Sequence, residues 1–553
     1  MTIRSLLEQH AQKIPDAVAL RFYEGKQLRS RTFAEFLADV KCTAAAYGGS
    51  FALRPREEHV SLILSNSPTW MEVYLACSGT GVPVVPIDPK LHNDEVAYIL
   101  GDSGAVVVTT DAAHLDMMRA IVPGLPSVRA VVLADGAGDY EPIGSMPVRA
   151  LAELRAGVRD TSWYDAHVAE TEDVASIIYT SGTTGKPKGA MLTHGNFTAD
   201  AAGALEAFGE TISPDDVFLV VLPLFHAFSF CTNFVVPLLT GSGMHFVRSL
   251  YTIGEDVKTL RPTVVMGVPL LAEKIYDKID AKLKASKKAR FLSKIGLRRL
   301  VSSAVRKGLG GRLRFMIVGG APCPRHVLEG FKSLGITVLE GYGLTECSPV
   351  VSIAGPKCAR IGTIGAKIAN IEIRLAEQNE QGVGELQVKG PITMKGYWHN
   401  DAATAEAFDG EWLKTGDLAS VAEDGLITIR GRKKALIVNR EGKNIYPEEV
   451  ENRIAADPVV ADCVVVGYTT GGIPGEKVGC VVHPNMDLLA ERNGGKEVPW
   501  EEAVKIAQEH VHAQCHALAD YKRVRKIVVS REPLERTSIQ KVRRVAYKGM
   551  LDE

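Results

Sequence analysis

No C-x-x-C pair occurs in this 553-residue chain. Its nine cysteines, Cys42, Cys77, Cys231, Cys323, Cys347, Cys358, Cys463, Cys480 and Cys515, are scattered. That spacing argues against a zinc site or a disulfide framework and fits reduced thiols in a cytosolic protein. Neither sign of charge is in excess: 64 Lys and Arg stand against 65 Asp and Glu. The whole molecule therefore offers no electrostatic case for nucleic-acid binding. No stretch approaches the roughly 18 apolar residues that span a bilayer. The opening residues, Met1 to His10, lack the apolar centre of a secretory signal, so cytoplasmic residence is expected. Internal repeats and low-complexity tracts are missing as well. What is left is a globular chain, 46% apolar, too long for one simple core.

The pattern of runs gives its organisation. From about residue 60 to 338, short β-branched runs (60–65, 105–109, 217–222, 264–266, 315–318) alternate with helical stretches (69–78, 93–100, 325–334). Such alternation predicts α/β layers with largely parallel sheets. After Gly355 short strands and turns follow one another (371–375, 384–388, 426–429), predicting a smaller β subdomain. From Ala435 a further unit of about 120 residues reads as α+β, with helices at 447–456 and 500–518 and strands at 463–466 and 478–482. The expected fold class is thus α/β: a large N-terminal domain, 1–433, of layered α/β subdomains plus a small β subdomain, then a small α+β C-terminal domain, 434–553. The boundary falls at the basic segment Arg432-Lys-Lys434.

The richest local signal follows the strand-like run 175–180. Tyr179-Thr-Ser-Gly-Thr-Thr-Gly-Lys-Pro-Lys-Gly189 combines backbone donors freed by glycine, hydroxyls on Ser181, Thr183 and Thr184, and the cations of Lys186 and Lys188. This chemistry suits a polyphosphate. The segment is not a Walker A loop, because Gly182 and Gly185 are only three apart and Lys186 precedes a proline.

Five further segments occur in order: Leu222-Pro-Leu-Phe-His226, Gly319-Gly-Ala-Pro322, Gly341-Tyr-Gly-Leu-Thr-Glu346, Trp412-Leu-Lys-Thr-Gly-Asp417 and Gly431-Arg-Lys-Lys434, followed by Lys541 near the C-terminus. Together with the glycine-rich loop they resemble the acyl-adenylate-forming superfamily over about residues 10–548. The resemblance implies a two-step reaction. A carboxylate attacks the α-phosphorus of ATP, releasing pyrophosphate, and a thiol, usually that of coenzyme A, then takes the acyl group from acyl-AMP.

It also implies roles for particular residues. Thr180, Ser181, Gly182, Thr183, Thr184, Gly185 and Lys188 would cradle phosphates. Gly320, Ala321, Gly341, Tyr342 and Gly343 would border adenine, with Tyr342 stacked on it. Asp417, supported by Arg432, would hold both ribose hydroxyls, which a carboxylate with two acceptor oxygens can do. Glu346 would bind Mg²⁺ and Thr345 would contact the α-phosphate. Lys541 would offset the repulsion between the acyl carboxylate and that phosphate. Lys434 would be the hinge of a mobile C-terminal domain, and Gly442 and Lys443 would meet the pantetheine of coenzyme A after a swing. His226 is either a core histidine or a site-lining one. Phe230 falls where some fatty-acyl enzymes carry a gating aromatic, and Val268 sits beside the acyl site. Two positions depart from the family pattern, Gln540 for glycine and Ala435 for aspartate.

No Asp, Glu, Lys or Arg occurs from Val217 to Val247, as an apolar acyl channel requires. Between Lys282 and Arg314, in contrast, there are twelve Lys and Arg and no acid. That stretch is either a solvated helical surface or an attractor of polyphosphate or an anionic membrane surface. The cluster His510, His512, Cys515, His516 reads as one exposed amphipathic helix. The reading drawn is an ATP- and Mg²⁺-dependent carboxylate–CoA ligase resembling medium- or long-chain acyl-CoA synthetases. The alternatives are a fatty acyl-AMP ligase that loads a carrier protein, an aryl-acid CoA ligase, and, from another class, a silent nucleotide-binding sensor.

Overall fold

The computed structural model describes residues 1–551 apart from 137, 139, 181–185, 210, 288–297, 442, 470–475 and 537–541, and apart from the side chains of residues 298 and 299. Two large sheets dominate the first part of the chain. A seven-stranded sheet runs in the order Val148–Ala150, Ala130–Leu133, Val107–Thr110, Val60–Leu62, Val84–Pro86, Val174–Thr180, Lys188–Thr193. All its pairs are parallel except the last, where Thr180 faces Lys188 across an antiparallel edge.

The nine-stranded sheet has a parallel centre: Thr337–Gly343, Phe315–Val318, Val264–Gly267, Val217–Val220, Gly243–Phe246 and Val18–Glu24. Antiparallel strands close both its edges. The single α/β alternation read from the sequence therefore divides between two sheets, because the chain leaves the second after Gln27–Thr32 and re-enters it only at Val217.

Local chemistry sets the turns between layers. Helix His194–Phe208 starts directly from strand Lys188–Thr193. The Thr193 hydroxyl accepts from the Asn196 amide at 3.0 Å, and the Asn196 carbonyl oxygen accepts from the Thr193 amide at 2.9 Å. This reciprocal cap satisfies two donors at the helix start. Gly209, at φ +68°, ends the helix in the left-handed conformation that glycine adopts without strain.

Between the sheets lies an apolar core whose centre is aromatic. Trp70, Tyr74, Phe197, Phe230 and Phe234 are all buried there, with Phe230 4.5 Å from Tyr74 and 4.7 Å from Phe197 between ring centroids. Tilted and edge-on pairs at such distances add to the burial of the rings themselves.

The small β subdomain is a five-stranded sheet of Glu372–Ala376, Gly384–Lys389, Trp412–Val421, Phe408–Asp409 and Ile427–Arg432. It begins later than expected. Ala366–Lys367 pairs with Val350–Ile353 and so belongs to the nine-stranded sheet, not to the β subdomain expected after Gly355. A short 3-10 turn at Lys433–Ala435 leads into the smaller α+β unit. There the strands Val460–Tyr468, Lys477–Pro484 and Lys526–Val529 carry helices Pro447–Ile454 and Trp500–Cys515. Among the described residues no helix is long and apolar enough to cross a membrane. The basic stretch is helical on both described flanks, in Pro269–Ala285 and Arg298–Gly308.

Candidate active site

The C-terminal ends of the parallel strands of both sheets open onto one cleft of about 2380 Å³. Ligands of open parallel sheets bind at such ends, where loops replace the ladder and expose backbone groups. Thr180, Lys188, His226, Gly320, Ala321, Gly341, Tyr342, Gly343, Thr345, Glu346, Asp417, Arg432 and Lys434 all line it. The structure thus brings together residues spread over some 250 positions of sequence. Ser181, Gly182, Thr183, Thr184 and Gly185 lie outside the described residues.

Antiparallel pairing places Asp417 opposite Arg432. The Asp417 side chain is 5% exposed, and its Oδ1 accepts from Arg432 Nε at 2.8 Å. The Tyr342 hydroxyl donates to Oδ2. Thr415 turns its hydroxyl to the Asp417 amide at 3.0 Å and donates to the Leu386 carbonyl at 2.7 Å. Burial and the adjacent Asp417 charge push the Tyr342 phenol well up, so it stays protonated and keeps donating. Behind this group Glu385 accepts from the Gly416 amide at 3.2 Å and from Lys433 Nζ at 3.0 Å. The result is a carboxylate fixed in place with a flat ring beside it.

Glu346 sits in a 3-10 turn, Thr345–Cys347, that closes against the end of strand Thr337–Gly343. Gly343 makes this closure possible, since a Cβ there would lie 1.9 Å from the Pro349 carbonyl oxygen. The Tyr397 hydroxyl donates to Glu346 Oε1 at 2.8 Å, and Lys188 Nζ lies 5.3 Å from the Tyr397 ring centroid. Burial and the Glu346 charge raise the Tyr397 phenol. One carboxylate beside one threonine hydroxyl suits a Mg²⁺–phosphate complex, because Mg²⁺ keeps most of its shell for water and phosphate. Gly320, at φ +85°, has nothing within 4 Å of the place a Cβ would take, so bare backbone faces the cleft where a flat base can lie. These residues fit a magnesium nucleotide.

His226 caps the short helix Ala227–Phe230, its Nδ1 accepting from the Phe228 amide at 3.2 Å, and it lines the cleft. Phe230 does not line it. The side chains of Phe228 and Thr232 share the cleft side, whereas Phe230 and Phe234 turn into the aromatic core. The expected gating aromatic is thus a core residue, and from this segment Phe225 and Phe228 are the rings that line the cleft. The expectation rests on the position in the family pattern; Phe228 and Phe230 lie on one short helix, Ala227–Phe230, two residues apart and so on different sides of it. Val268 is likewise displaced. It is the N-cap of helix Pro269–Ala285, packs with the cluster on the outer face of the nine-stranded sheet, and does not line the cleft.

The C-terminal unit contributes residues that the sequence did not single out. Glu448, Glu451, Val542 and Arg544 line the cleft. Arg544 reaches Glu448 at 2.8 Å and Glu451 at 2.7 Å, and Arg536 pairs with Asp462 at 2.8 Å. An antiparallel bridge joins Arg536 to Val542. Lys541 and Gly442 lie outside the described residues. Lys443 pairs with Glu441 at 2.9 Å, stands 4.8 Å from the Tyr521 ring centroid and does not line the cleft. His510 pairs with Asp457 at 2.7 Å. Tyr397, Glu385 and Asp88 also line the site without any motif to announce them. Asp88 is 7% exposed, with Oδ2 unpaired. Their only signal is spatial.

The pattern of one family, described as AMP-binding enzyme, matches residues 7–398. A relative named long-chain-fatty-acid–CoA ligase FadD15 from Mycobacterium bovis is 31% identical over 502 residues, covering 84% of this chain and 80% of the relative. A feruloyl-CoA synthase from an Amycolatopsis species is 32% identical over 471 residues, covering 83% and 84%. The ATP-bound crystal structure of MatB from Rhodopseudomonas palustris superposes with a TM-score of 0.76 over all of both chains, at 24% identity. By the extent of the match and by the identity of these relatives, the chain belongs to the AMP-binding enzyme family.

Proposed function

We propose that this chain is an AMP-forming carboxylate–CoA ligase that acts on medium- to long-chain aliphatic acids. One observation carries the reading. A single cleft holds the Asp417, Tyr342, Arg432 and Glu346 group beside an apolar lobe lined from a segment free of charge, Val217 to Val247. The polar part suits a nucleotide and the lobe suits a hydrocarbon tail, so the acid's carboxylate meets the phosphates where the two join. The relatives named long-chain-fatty-acid–CoA ligase and feruloyl-CoA synthase support the same chemistry.

In this reading Asp417 holds the ribose, Tyr342 packs on the base, and Thr180 and Lys188 flank the phosphates. Mg²⁺, held by Glu346 with Thr345 beside it, supplies charge neutralisation on the phosphates. Lys541 brings a compact cation to the carboxylate and α-phosphate as the new P–O bond forms and pyrophosphate leaves. The acyl group then passes to the thiol sulfur of coenzyme A, AMP departs, and the thiol proton goes to solvent.

Val542 lines the cleft while Lys443 faces Tyr521. We read this arrangement as the one for adenylate formation, with domains 1–433 and 434–553 turning about Lys434 to bring Gly442 and Lys443 in for the second step. Cytoplasmic residence belongs to the same reading, with the basic stretch Lys282 to Arg314 available to an anionic membrane surface.

The deciding experiment is acid-dependent pyrophosphate release over acetate to palmitate, benzoate and ferulate, with and without coenzyme A. Turnover that needs coenzyme A and peaks on an aliphatic acid is expected. A peak on benzoate or ferulate would make it an aryl-acid ligase. A single turnover indifferent to coenzyme A would make it a carrier-protein ligase, and no release would leave a nucleotide sensor.

A further inference from the structure

The depth of the lobe follows from the register of the strands that wall it. One wall is the inner face of the nine-stranded sheet. There Phe218 and Val264 pair in register as one row, and Met266 and Ile317 form the next row toward the strand C-termini. The facing wall is helix His194–Phe208, which runs opposite to the strands. It ends at Phe208, and the chain re-enters the sheet at the N-terminal end of Val217–Val220. Ala204 and Phe208, one turn apart, both line the lobe. Phe218 and Val264 are each only 1% exposed although they line the cleft, so the lobe reaches deep into the molecule.

Phe208 lies over the inner row. Its ring stands edge-on to Phe315 at 5.1 Å, and Phe315 is the register partner of Val264. Gly319, at the polar end, lies one residue past the strand Phe315–Val318 and four after Phe315, a distance of about 13 Å at ~3.3 Å per residue. An extended chain advances about 1.2 Å per bond, since a three-bond residue spans at most ~3.6 Å, so the lobe takes about eleven bonds.

We infer that Phe208 is the end stop of the acyl site and sets its chain length. Saturated straight-chain acids of about ten to twelve carbons fill the lobe, and longer ones meet the ring. Interiors close-packed to this degree transmit such a limit sharply, because a terminal methyl cannot enter an occupied volume. The inference rests on the ligase reading above and adds the substrate length and the residue that fixes it.

The test is kcat/KM for coenzyme A-dependent pyrophosphate release over straight-chain acids from four to eighteen carbons. It compares the wild type with Phe208→Ala, Phe208→Leu and Ala204→Phe. The wild type should peak at ten to twelve carbons. Phe208→Ala should move the peak at least three carbons longer, about the length of the removed ring, and raise palmitate over decanoate at least tenfold. Phe208→Leu, which keeps most of the buried volume, should give a smaller shift in the same direction. Ala204→Phe, filling the lobe one turn nearer the polar end, should move the peak shorter. The KM for ATP should stay within about twofold throughout, because the changes lie away from the polar end. A wild-type optimum at palmitate or beyond, or one profile shared by all four proteins, overturns the stop while leaving the ligase standing. Absence of turnover with every acid in the wild type overturns the ligase reading and the stop together.

Discussion

Asp417→Asn isolates the charge at the centre of the polar site without changing its shape. In the wild type, Oδ1 holds Arg432 Nε at 2.8 Å and Oδ2 accepts from Tyr342. A carboxylate offers about four lone-pair sites, and in the ligase reading Asp417 takes both ribose hydroxyls. An amide keeps one acceptor oxygen for the same claims and presents an NH₂ to the others. Each hydrogen bond to a charged group contributes about 1.5–3 kcal/mol. Losing most of two of them should cost about 3 kcal/mol, or roughly 150-fold in affinity for AMP and in kcat/KM for ATP. Folding should change little. Arg432 is 45% exposed and regains water when its partner is neutralised. The assay is a cycle of wild type and Asp417→Asn against ATP and its 2′- and 3′-deoxy analogues, followed by calorimetry with AMP. Removing a sugar hydroxyl should cost the wild type at least tenfold and the variant no more than about threefold, because the partner is already gone. Equal sensitivity of both proteins to the missing hydroxyl would refute the assignment of the ribose to Asp417.

Lys541→Ala should abolish adenylate formation yet leave thioester formation from supplied acyl-AMP nearly intact, and Lys434→Pro should do the reverse. Stopped-flow measurement of the two half-reactions separates them, and equal losses in both halves for either variant would remove its assigned role. Glu346→Gln keeps the volume and the bond from Tyr397 but drops the charge. The Mg²⁺ concentration for half-maximal pyrophosphate release should then rise at least tenfold, and an unchanged titration would take the metal away from this residue. Arg544→Met should destabilise the C-terminal unit by about 2–3 kcal/mol at pH 7, because Glu448 and Glu451 lose a partner held at 2.8 and 2.7 Å while mostly buried. Burial already raises the Glu451 carboxyl and Arg544 holds it down, so the substitution raises it further. A raised folded-state value gives stability that is present in acid and lost as pH rises through it. The deficit, read by hydrogen exchange in helix Pro447–Ile454, should therefore shrink toward pH 4–5, and a pH-independent deficit would contradict the ion-pair account.

Strand and helix identity was largely legible because β-branched runs and helical stretches are punctuated by turn residues throughout. Phe315–Val318 falls where the run placed it, and Arg325–Ser333 ends one residue early. What failed did so for identifiable reasons. Ala366–Lys367 is a two-residue edge strand, too short to carry a period, so the β subdomain was opened too early. The family pattern points to Phe230 by position, and Phe228, two residues earlier on the same short helix, takes the cleft side instead. Tyr397 meets Glu346 across 51 residues, and Arg544 meets Glu451 across 93. Pairing of that range leaves no trace in local composition. Short motifs announced the residues assigned to a nucleotide, while the residues that hold those residues in place became visible only in space.

The division of the cleft follows from the same sheet. Parallel strands end on one side, where Gly319 and Gly320 past one strand and Gly341 and Gly343 at the end of its neighbour leave room for backbone and polar side chains to face the cleft. Along the strands themselves, side chains alternate between faces. Phe218, Val264, Met266 and Ile317 therefore share the inner face, while Leu219, Val265 and Met316 pack the outer one. A hydrocarbon lobe can only descend along that inner face, beginning where the polar ends stop. The reacting carboxylate must then lie at the edge between the two, within reach of whatever the C-terminal unit brings to the cleft. Among the described residues, that unit brings Arg536, paired with Asp462, and Arg544, paired with Glu448 and Glu451, to the cleft. In the ligase reading the apolar lobe takes the acid's tail, and its carboxylate meets the α-phosphate at the polar edge.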